Sequence, residues 1–217
     1  MIQAFLFDMD GTLLDSEILW VEAVRRVLED AGCPTTPGEA LHIAYGHAWD
    51  HVYERFRRHS ERRSWTNEEI AAAVDVQFNE VRAERDIRIP GSIALLRQLA
   101  ERYPAGIVSG SYRRDIARGI EYMGIADCVS FYVGGEDVAT GKPHPACYLL
   151  AADLLGLPPG ECLVFEDSTA GVRAAKDAGM HCVAFARPGR PAQDYRGADL
   201  VLADLSEFDI ARYETQP

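Results

Sequence analysis

Residues 4–12 read AFLFDMDGT, an apolar run that ends in two acids and a glycine. Alternate residues of a strand point to the same side, so Asp8 and Asp10 are expected to share one face where the strand ends. Two carboxylates about 4 Å apart repel each other by on the order of 4 kcal/mol at an effective dielectric constant of about 20, unless a cation or a shared proton intervenes. The stretch therefore predicts a reactive strand end, with a capping or turn pair of aspartates as the plainer alternative.

The composition indicates a globular protein with an acidic surface. Its 217 residues are 47% hydrophobic, and 34 Asp and Glu against 22 Lys and Arg give a formal net charge of -12. Such a charge argues against binding to nucleic acid or to anionic membranes. The sequence shows no apolar run of about 18 residues, no signal-peptide pattern and no CxxC pair among its cysteines. We therefore expect a soluble cytoplasmic protein with reduced core thiols, and nothing in the sequence identifies a protein partner.

The chain divides by pattern into a helical stretch and an alternating stretch. Residues 16–85 carry apolar side chains at helical spacing, and no strand pattern interrupts them. Later candidate strands lie at 105–108, 129–133, 163–165 and 182–186. Helices alternating with strands indicate a parallel sheet. We predict an α/β fold, a Rossmann-like parallel sheet core with helices on both faces (1–14 and 88–217) plus an inserted helical-bundle cap (15–87).

Polar side chains follow two more of the predicted strands. One strand ends in Ser109 and Gly110, and another ends in Glu166 and Asp167. Ligands of open parallel sheets collect beyond the carboxyl ends of the strands. A serine and free backbone N–H groups before a helix suit a phosphate, with an ordinary helix N-cap as the plainer interpretation of Ser109 alone. Adjacent acids at such a place suit a hard cation such as Mg²⁺.

Lys142, in the sequence GKP, is the candidate for the positive charge that a cluster of acids would need before it could bind an anion. The stretch is not a Walker loop, because Glu136 stands where that loop needs a glycine and Pro143 where it needs Ser or Thr. A function as a nucleoside triphosphatase is therefore rejected. The plainer interpretation of Lys142 alone is a solvated surface lysine.

Taken in order, these stretches resemble the four motifs of the haloacid dehalogenase-like superfamily. They are DMDGTLLDSE at 8–17, VSG at 108–110, Lys142, and EDS at 166–168. The resemblance is to the branch with a helical cap after the first strand, which includes β-phosphoglucomutase-like and phosphoglycolate phosphatase-like proteins. It spans about residues 1–205 and implies that the strands carrying the first, second and fourth motifs are adjacent.

The resemblance also implies a mechanism. Asp8 would attack phosphorus to form an aspartyl phosphate, while Asp10 would protonate the leaving oxygen and then accept a proton from the hydrolytic water. Mg²⁺ would be held by the Asp8 carboxylate, the Asp10 backbone carbonyl and Asp167, with Glu166 a direct ligand or a partner through water. The phosphoryl oxygens would be held by Ser109, the Gly110 N–H and Lys142, which would also restrain Asp8.

Departures from the family pattern bear on the reaction. Relatives that attack carbon usually lack the second acid, so Asp10 favours phosphoryl transfer over dehalogenation. Many relatives carry Asn where this chain has Gly110, so this chain lacks the side chain that would make the leaving-group or phosphate contacts of that Asn. We predict a Mg²⁺-dependent phosphatase of a small phosphorylated metabolite, such as a sugar or sugar-acid phosphate. A phosphomutase is the first alternative, and a dehalogenase or a non-catalytic phosphometabolite sensor is less favoured.

The cap is expected to carry substrate specificity, through Trp20 and the segment around Tyr45, Gly46 and Trp49. Packing within the cap is the plainer interpretation of both tryptophans. Sugar-phosphate mutases of this branch carry a Lys and an Arg where this chain has Tyr45 and Trp49. Because a mutase must hold a second phosphate, the loss of both cations favours hydrolysis.

Overall fold

A computed structural model describes residues 1–45, 49–60 and 64–214. The chain forms two compact units. A core unit comprises Met1–Leu14 and Arg88–Pro217, and a helical unit comprises Asp15–Ile87. The first strand and its two acids therefore belong to the same unit as the rest of the sheet.

The helical unit is built from α-helices that follow one another along the chain. They are α1 (Glu17–Asp30), α2 (Pro37–Ala44), α3 (Trp49–Ser60) and α4 (Asn67–Glu84). Capping boxes fix the starts of α2 and α4, where Thr36 and Thr66 each accept a hydrogen bond from the backbone of the glutamate three residues later. Buried apolar side chains from all four helices, such as Val24, Ile43 and Phe56, form the interior of this unit.

The described strands of the core unit form one parallel sheet of six strands in the order β3-β2-β1-β4-β5-β6. The strands are β1 (Ala4–Phe7), β2 (Ala105–Val108), β3 (Phe131–Val133), β4 (Cys162–Glu166), β5 (His181–Phe185) and β6 (Leu200–Leu202). The predicted α/β class is confirmed, and β1 lies between β2 and β4 as the resemblance implied. The carboxyl ends of these three strands therefore meet at one edge.

The helices of the core unit lie between these strands along the chain, except the last, which follows β6. They are α5 (Pro90–Ala100), α6 (Arg113–Met123), α7 (Ala146–Leu155), α8 (Thr169–Asp177) and the short α9 (Ala211–Glu214). None of the helices in the described ranges combines the length and apolar character that a membrane span requires.

Burial of the central strands explains why they read as unbroken apolar runs. Every residue of β1, β2 and β4 is buried, as is usual for a parallel sheet covered on both faces. The ring of Phe165 stacks on Phe7 with centroids 4.6 Å apart and meets Phe208 edge-on at 5.0 Å. These ring contacts join two strands that end in the predicted site.

Phe165→Ala tests this packing. The substitution is expected to lower the free energy of unfolding by about 3–5 kcal/mol, because it removes a fully buried ring and leaves a cavity. Chemical denaturation measures the change. Val201→Ala on β6 is the control, since Val201 is 48% exposed and its loss should cost less than about 1 kcal/mol. Equal losses of unfolding free energy in the two variants would contradict the conclusion that the Phe165 ring stabilises the core.

Candidate active site

Lys142 lies between the ends of β1, β2 and β4. Its ammonium Nζ donates hydrogen bonds to Asp8 Oδ1 at 2.6 Å, to Glu166 Oε1 at 2.6 Å and to the Val108 carbonyl oxygen at 3.0 Å. These acceptors use all three of its N–H donors. Its side chain is only 13% exposed, so the interpretation of Lys142 as a solvated surface lysine is wrong.

Glu166 is fully buried, and protein donors occupy both of its oxygens. Oε1 accepts from Lys142 Nζ and from the Tyr148 hydroxyl, the latter at 2.9 Å. Oε2 accepts from the Ser168 backbone N–H at 3.1 Å and from the Ser168 hydroxyl at 3.0 Å. A carboxylate has about four lone-pair positions, so these bonds saturate it. The structure thus places Glu166 primarily as the support of Lys142.

The start of α8 is shaped to hold this carboxylate. The Ser168 side chain caps the helix by accepting from the Gly171 backbone N–H at 3.0 Å. A Cβ atom at Gly171 would lie 1.7 Å from Glu166 Oε1 and therefore could not coexist with the carboxylate. The glycine that follows the fourth motif in sequence is required by this close approach.

Asp8 has two unlike oxygens. Oδ1 accepts from Lys142, whereas Oδ2 is buried and has no hydrogen-bond partner within the described part of the chain. Burial raises the pKa of Asp8 to about 8, against the lowering by the Lys142 ammonium and with further raising by Glu166 and Asp10. Burial also lowers the pKa of Lys142, but its two carboxylate partners hold it above its usual value. The site thus keeps its ammonium charged and leaves one carboxylate oxygen uncompensated.

The geometry fits a cation beside the Asp8 carboxylate. One carboxylate oxygen from each of Asp8, Glu166 and Asp167 lies within 4.8 Å of the other two. Hard cations such as Mg²⁺ prefer such oxygen donors. Gly11 makes room for Asp167, because a Cβ atom there would lie 2.1 Å from Asp167 Oδ2, and its φ of 95° also favours glycine. Glu166 is saturated, whereas Asp8 has an oxygen that accepts no hydrogen bond from the described residues.

Asp10 is held by serines from the end of β2. The Ser109 hydroxyl donates to Asp10 Oδ2 at 3.0 Å, and the Ser111 hydroxyl donates to the same oxygen at 2.7 Å. Ser109 Oγ also accepts from the Ser111 backbone N–H at 3.0 Å. The N-cap residue of α6 is Tyr112, so the alternative of Ser109 as an ordinary helix cap is wrong. Ser111 was not among the residues selected from the sequence.

Gly110 is exposed between these serines, and a Cβ atom there would meet no described atom within 4 Å. A side chain such as the Asn expected from the family pattern would therefore have open space at this position. Binding of phosphoryl oxygens by Ser109 and the Gly110 N–H stays a prediction.

Comparison with known proteins identifies the family. The sequence profile of haloacid dehalogenase-like hydrolases matches residues 2–179. The chain is a haloacid dehalogenase-like hydrolase. It is 31% identical to validoxylamine A 7'-phosphate phosphatase of Streptomyces hygroscopicus subsp. limoneus over 95% of this chain and 96% of that protein. It is 32% identical to hexitol phosphatase A of Escherichia coli (strain K12) over 97% of this chain and 94% of that protein.

A solved structure extends the similarity to the fold. The crystal structure of a HAD family hydrolase from Deinococcus radiodurans R1, with bound phosphate and sodium, superimposes with a TM-score of 0.81 and 28% identity. The match covers 98% of this chain and 96% of that one. The family predicted from the four motifs is therefore confirmed.

Two tyrosines of this hydrolase touch the site from outside the four motifs. The Tyr148 hydroxyl contacts Glu166, and the Tyr195 hydroxyl donates to the backbone carbonyl of Asp167 at 2.9 Å and to that of Phe185 at 3.3 Å. Neither was selected from the sequence, because Tyr148 stands in an apolar run typical of core packing and Tyr195 stands in a polar stretch typical of a loop. Tyr148 lies in α7, shortly after Lys142 in the sequence, and this proximity to a motif residue was the available signal.

The predicted specificity residues of this hydrolase lie in the helical unit. Trp20 stacks on Phe78 at 3.7 Å between centroids and meets Trp49 edge-on at 5.1 Å, so packing accounts for part of both rings. Tyr45 is buried, and Trp49 is 37% exposed. Gly46 lies outside the described residues. A role of these residues in specificity stays a prediction.

Gly171→Ala is expected to destabilise the hydrolase by about 1–3 kcal/mol, because the new methyl group must displace the Glu166 carboxylate. Thermal and denaturant unfolding measure the loss. Gly38→Ala in α2 is the matched helical control, since its Cβ would meet none of the described residues within 4 Å and alanine favours a helix by up to about 1 kcal/mol. If Gly171→Ala proved as stable as Gly38→Ala, the close contact would be wrong.

Proposed function

We propose that this hydrolase is a Mg²⁺-dependent phosphatase of a small phosphorylated metabolite and acts through an aspartyl-phosphate intermediate. The observation that carries the proposal is the division of the Asp8 carboxylate. Lys142 binds one oxygen, the other is buried with no hydrogen-bond partner among the described residues, and the carboxylate clusters with that of Asp167. A carboxylate restrained in this way suits a nucleophile that works beside a cation.

The metal site would be formed by the carboxylates of Asp8 and Asp167 together with the backbone carbonyl of Asp10. Bound there, Mg²⁺ would neutralise negative charge as the phosphoryl group is transferred. Glu166 would act outside this set, because its oxygens already accept four hydrogen bonds from the protein. Phosphoryl oxygens would be held by Ser109, the Gly110 N–H and Lys142. Lys142 would bind them either by sharing one of its N–H donors with a present acceptor or by giving up that acceptor.

The protein's own residues supply the rest of the reaction. In the first step an Asp8 oxygen forms a bond to phosphorus, the ester P–O bond breaks, and Asp10 gives its proton to the leaving alcohol. In the second step Asp10 takes a proton from water, the water oxygen bonds to phosphorus, and Asp8 is released with inorganic phosphate. The hydroxyls of Ser109 and Ser111 would orient Asp10 for both proton transfers.

The relatives support both the reaction and the substrate class. The named relatives are phosphatases of validoxylamine A 7'-phosphate and of hexitol phosphates, to judge from their names. Asp10 further favours phosphorus over carbon as the electrophile, since displacement of a halide needs no acid at this position. We therefore place the substrate among phosphorylated sugars, sugar acids or similar polyols.

A panel of phosphomonoesters tests the proposal. With Mg²⁺ the purified protein is expected to release inorganic phosphate from sugar or polyol phosphates, and chelation should abolish the release. Asp8→Asn should lower kcat by about 10³-fold or more because the nucleophile is lost. Asp153→Asn, at an exposed position of α7, should behave like the parent protein. No release from any ester, or full activity of Asp8→Asn, would refute it, and isomerisation without net release would indicate a phosphomutase.

Asp10→Asn separates the two steps. Steady-state turnover should fall by about 10²–10⁴-fold, because both proton transfers lose their group. With p-nitrophenyl phosphate the first step needs little acid assistance, so rapid mixing should show a burst of nitrophenolate approaching one equivalent of enzyme. The absence of a burst despite slow turnover would argue against Asp10 as the base for hydrolysis of the intermediate.

A further inference from the structure

Tyr148 is a buried tyrosine that neither the four motifs nor the proposed chemistry uses. It lies on α7, and its side chain is fully inaccessible to solvent. Its hydroxyl donates to Glu166 Oε1 at 2.9 Å, and its ring centroid is 5.2 Å from Lys142 Nζ. A buried tyrosine hydroxyl normally requires a partner, but here the partner is an active-site carboxylate and the ring faces the active-site ammonium.

The oxygen that Tyr148 contacts is also an oxygen that binds Lys142. Nζ lies 2.6 Å from Glu166 Oε1 and 2.6 Å from Asp8 Oδ1, so the ammonium is shared evenly between two carboxylates. A hydroxyl that donates to Oε1 offsets part of the negative charge on that oxygen. The Tyr148 hydroxyl therefore weakens the pull of Glu166 on Lys142 relative to the pull of Asp8.

Removal of the hydroxyl would change this balance. Within residues 1–45, 49–60 and 64–214, Lys142 Nζ would be left as the side-chain donor to Glu166 Oε1. A buried carboxylate oxygen that has lost one partner draws its remaining cation closer, because an unsatisfied buried acceptor is costly. Lys142 would then move toward Glu166 and loosen its hold on Asp8.

We propose that Tyr148 is a positioning residue that holds Glu166 and, through it, keeps Lys142 Nζ against the nucleophile Asp8. This inference rests on the proposed function for its catalytic consequence, although the mechanical link between Tyr148 and Lys142 does not. The tyrosine contacts neither of the carboxylates proposed for the metal and acts on Asp8 only through Lys142. Its loss should therefore lower kcat by more than it changes substrate or metal affinity.

Tyr148→Phe tests the catalytic consequence, because it keeps the ring beside Lys142 and removes the hydroxyl. We expect kcat to fall by about tenfold, with KM and the Mg²⁺ dissociation constant from calorimetry changing by less than kcat does. Tyr103→Phe is the matched control, since Tyr103 packs edge-on against Phe5 at 5.3 Å, before the start of β2, and should leave kcat unchanged. A kcat within about twofold of the parent, whatever the melting temperature, overturns the inference.

A double-mutant cycle tests the mechanical link without any activity. Tyr148→Phe and Lys142→Met should be non-additive by at least about fivefold in the equilibrium constant of unfolding, which is about 1 kcal/mol. The cycle of Tyr103→Phe with Lys142→Met should be additive. Additivity in the Tyr148 cycle overturns the inference. If the parent protein releases no phosphate from any ester, the proposed function fails and the cycle alone decides the role of Tyr148.

Discussion

The contact on which the site depends is the Lys142 ammonium between Asp8 and Glu166. Parallel strands β1 and β4 are neighbours, so the acids that end them are forced together in a buried place. Removal of either carboxylate from water is costly unless a cation pairs with it. A single ammonium that bonds both acids and the end of β2 satisfies this requirement. The topology of the sheet thus brings buried negative charges together, and the Lys142 ammonium neutralises part of that charge.

The site is suited to chemistry because Lys142 neutralises only part of the buried negative charge. The carboxylates of Asp8, Glu166 and Asp167 cluster together, the ammonium bonds only two of them, and Asp8 Oδ2 stays buried without a partner among the described residues. Folding alone would favour a second donor at that oxygen. Because no such donor is found among the described contacts, a cation that binds at the Asp8 carboxylate would offset this buried negative charge. Glu166 and Asp8 are therefore chemically distinct although both contact Lys142, because one carboxylate is saturated and the other is not.

The sequence predicted those parts of the structure that follow from chain order. Strand ends are marked by a change from apolar to polar residues, so Asp8, Ser109 and Glu166 could be assigned to one edge once a parallel sheet was predicted. The positions of β2 and β4 followed from the same runs. The short strand β6, Leu200–Leu202, was not predicted, because a half-buried run of three residues at the edge of a sheet resembles a loop. Specificity residues of the helical unit were beyond such reasoning, since aromatic packing and ligand contact have the same sequence pattern.

Lateral contacts explain what the sequence could not provide. Ser111, Tyr148 and Tyr195 reach the site because a turn or a helix carries them there, and a hydroxyl one residue earlier or later would point elsewhere. Each satisfies or orients a group that a motif supplies. The motif residues therefore determine which atoms can react, whereas the hydroxyls determine which of those atoms remain unsatisfied. The choice between a metal-binding and a lysine-supporting role for Glu166 was undecidable from the motif EDS, and counting its four donors favours the second role.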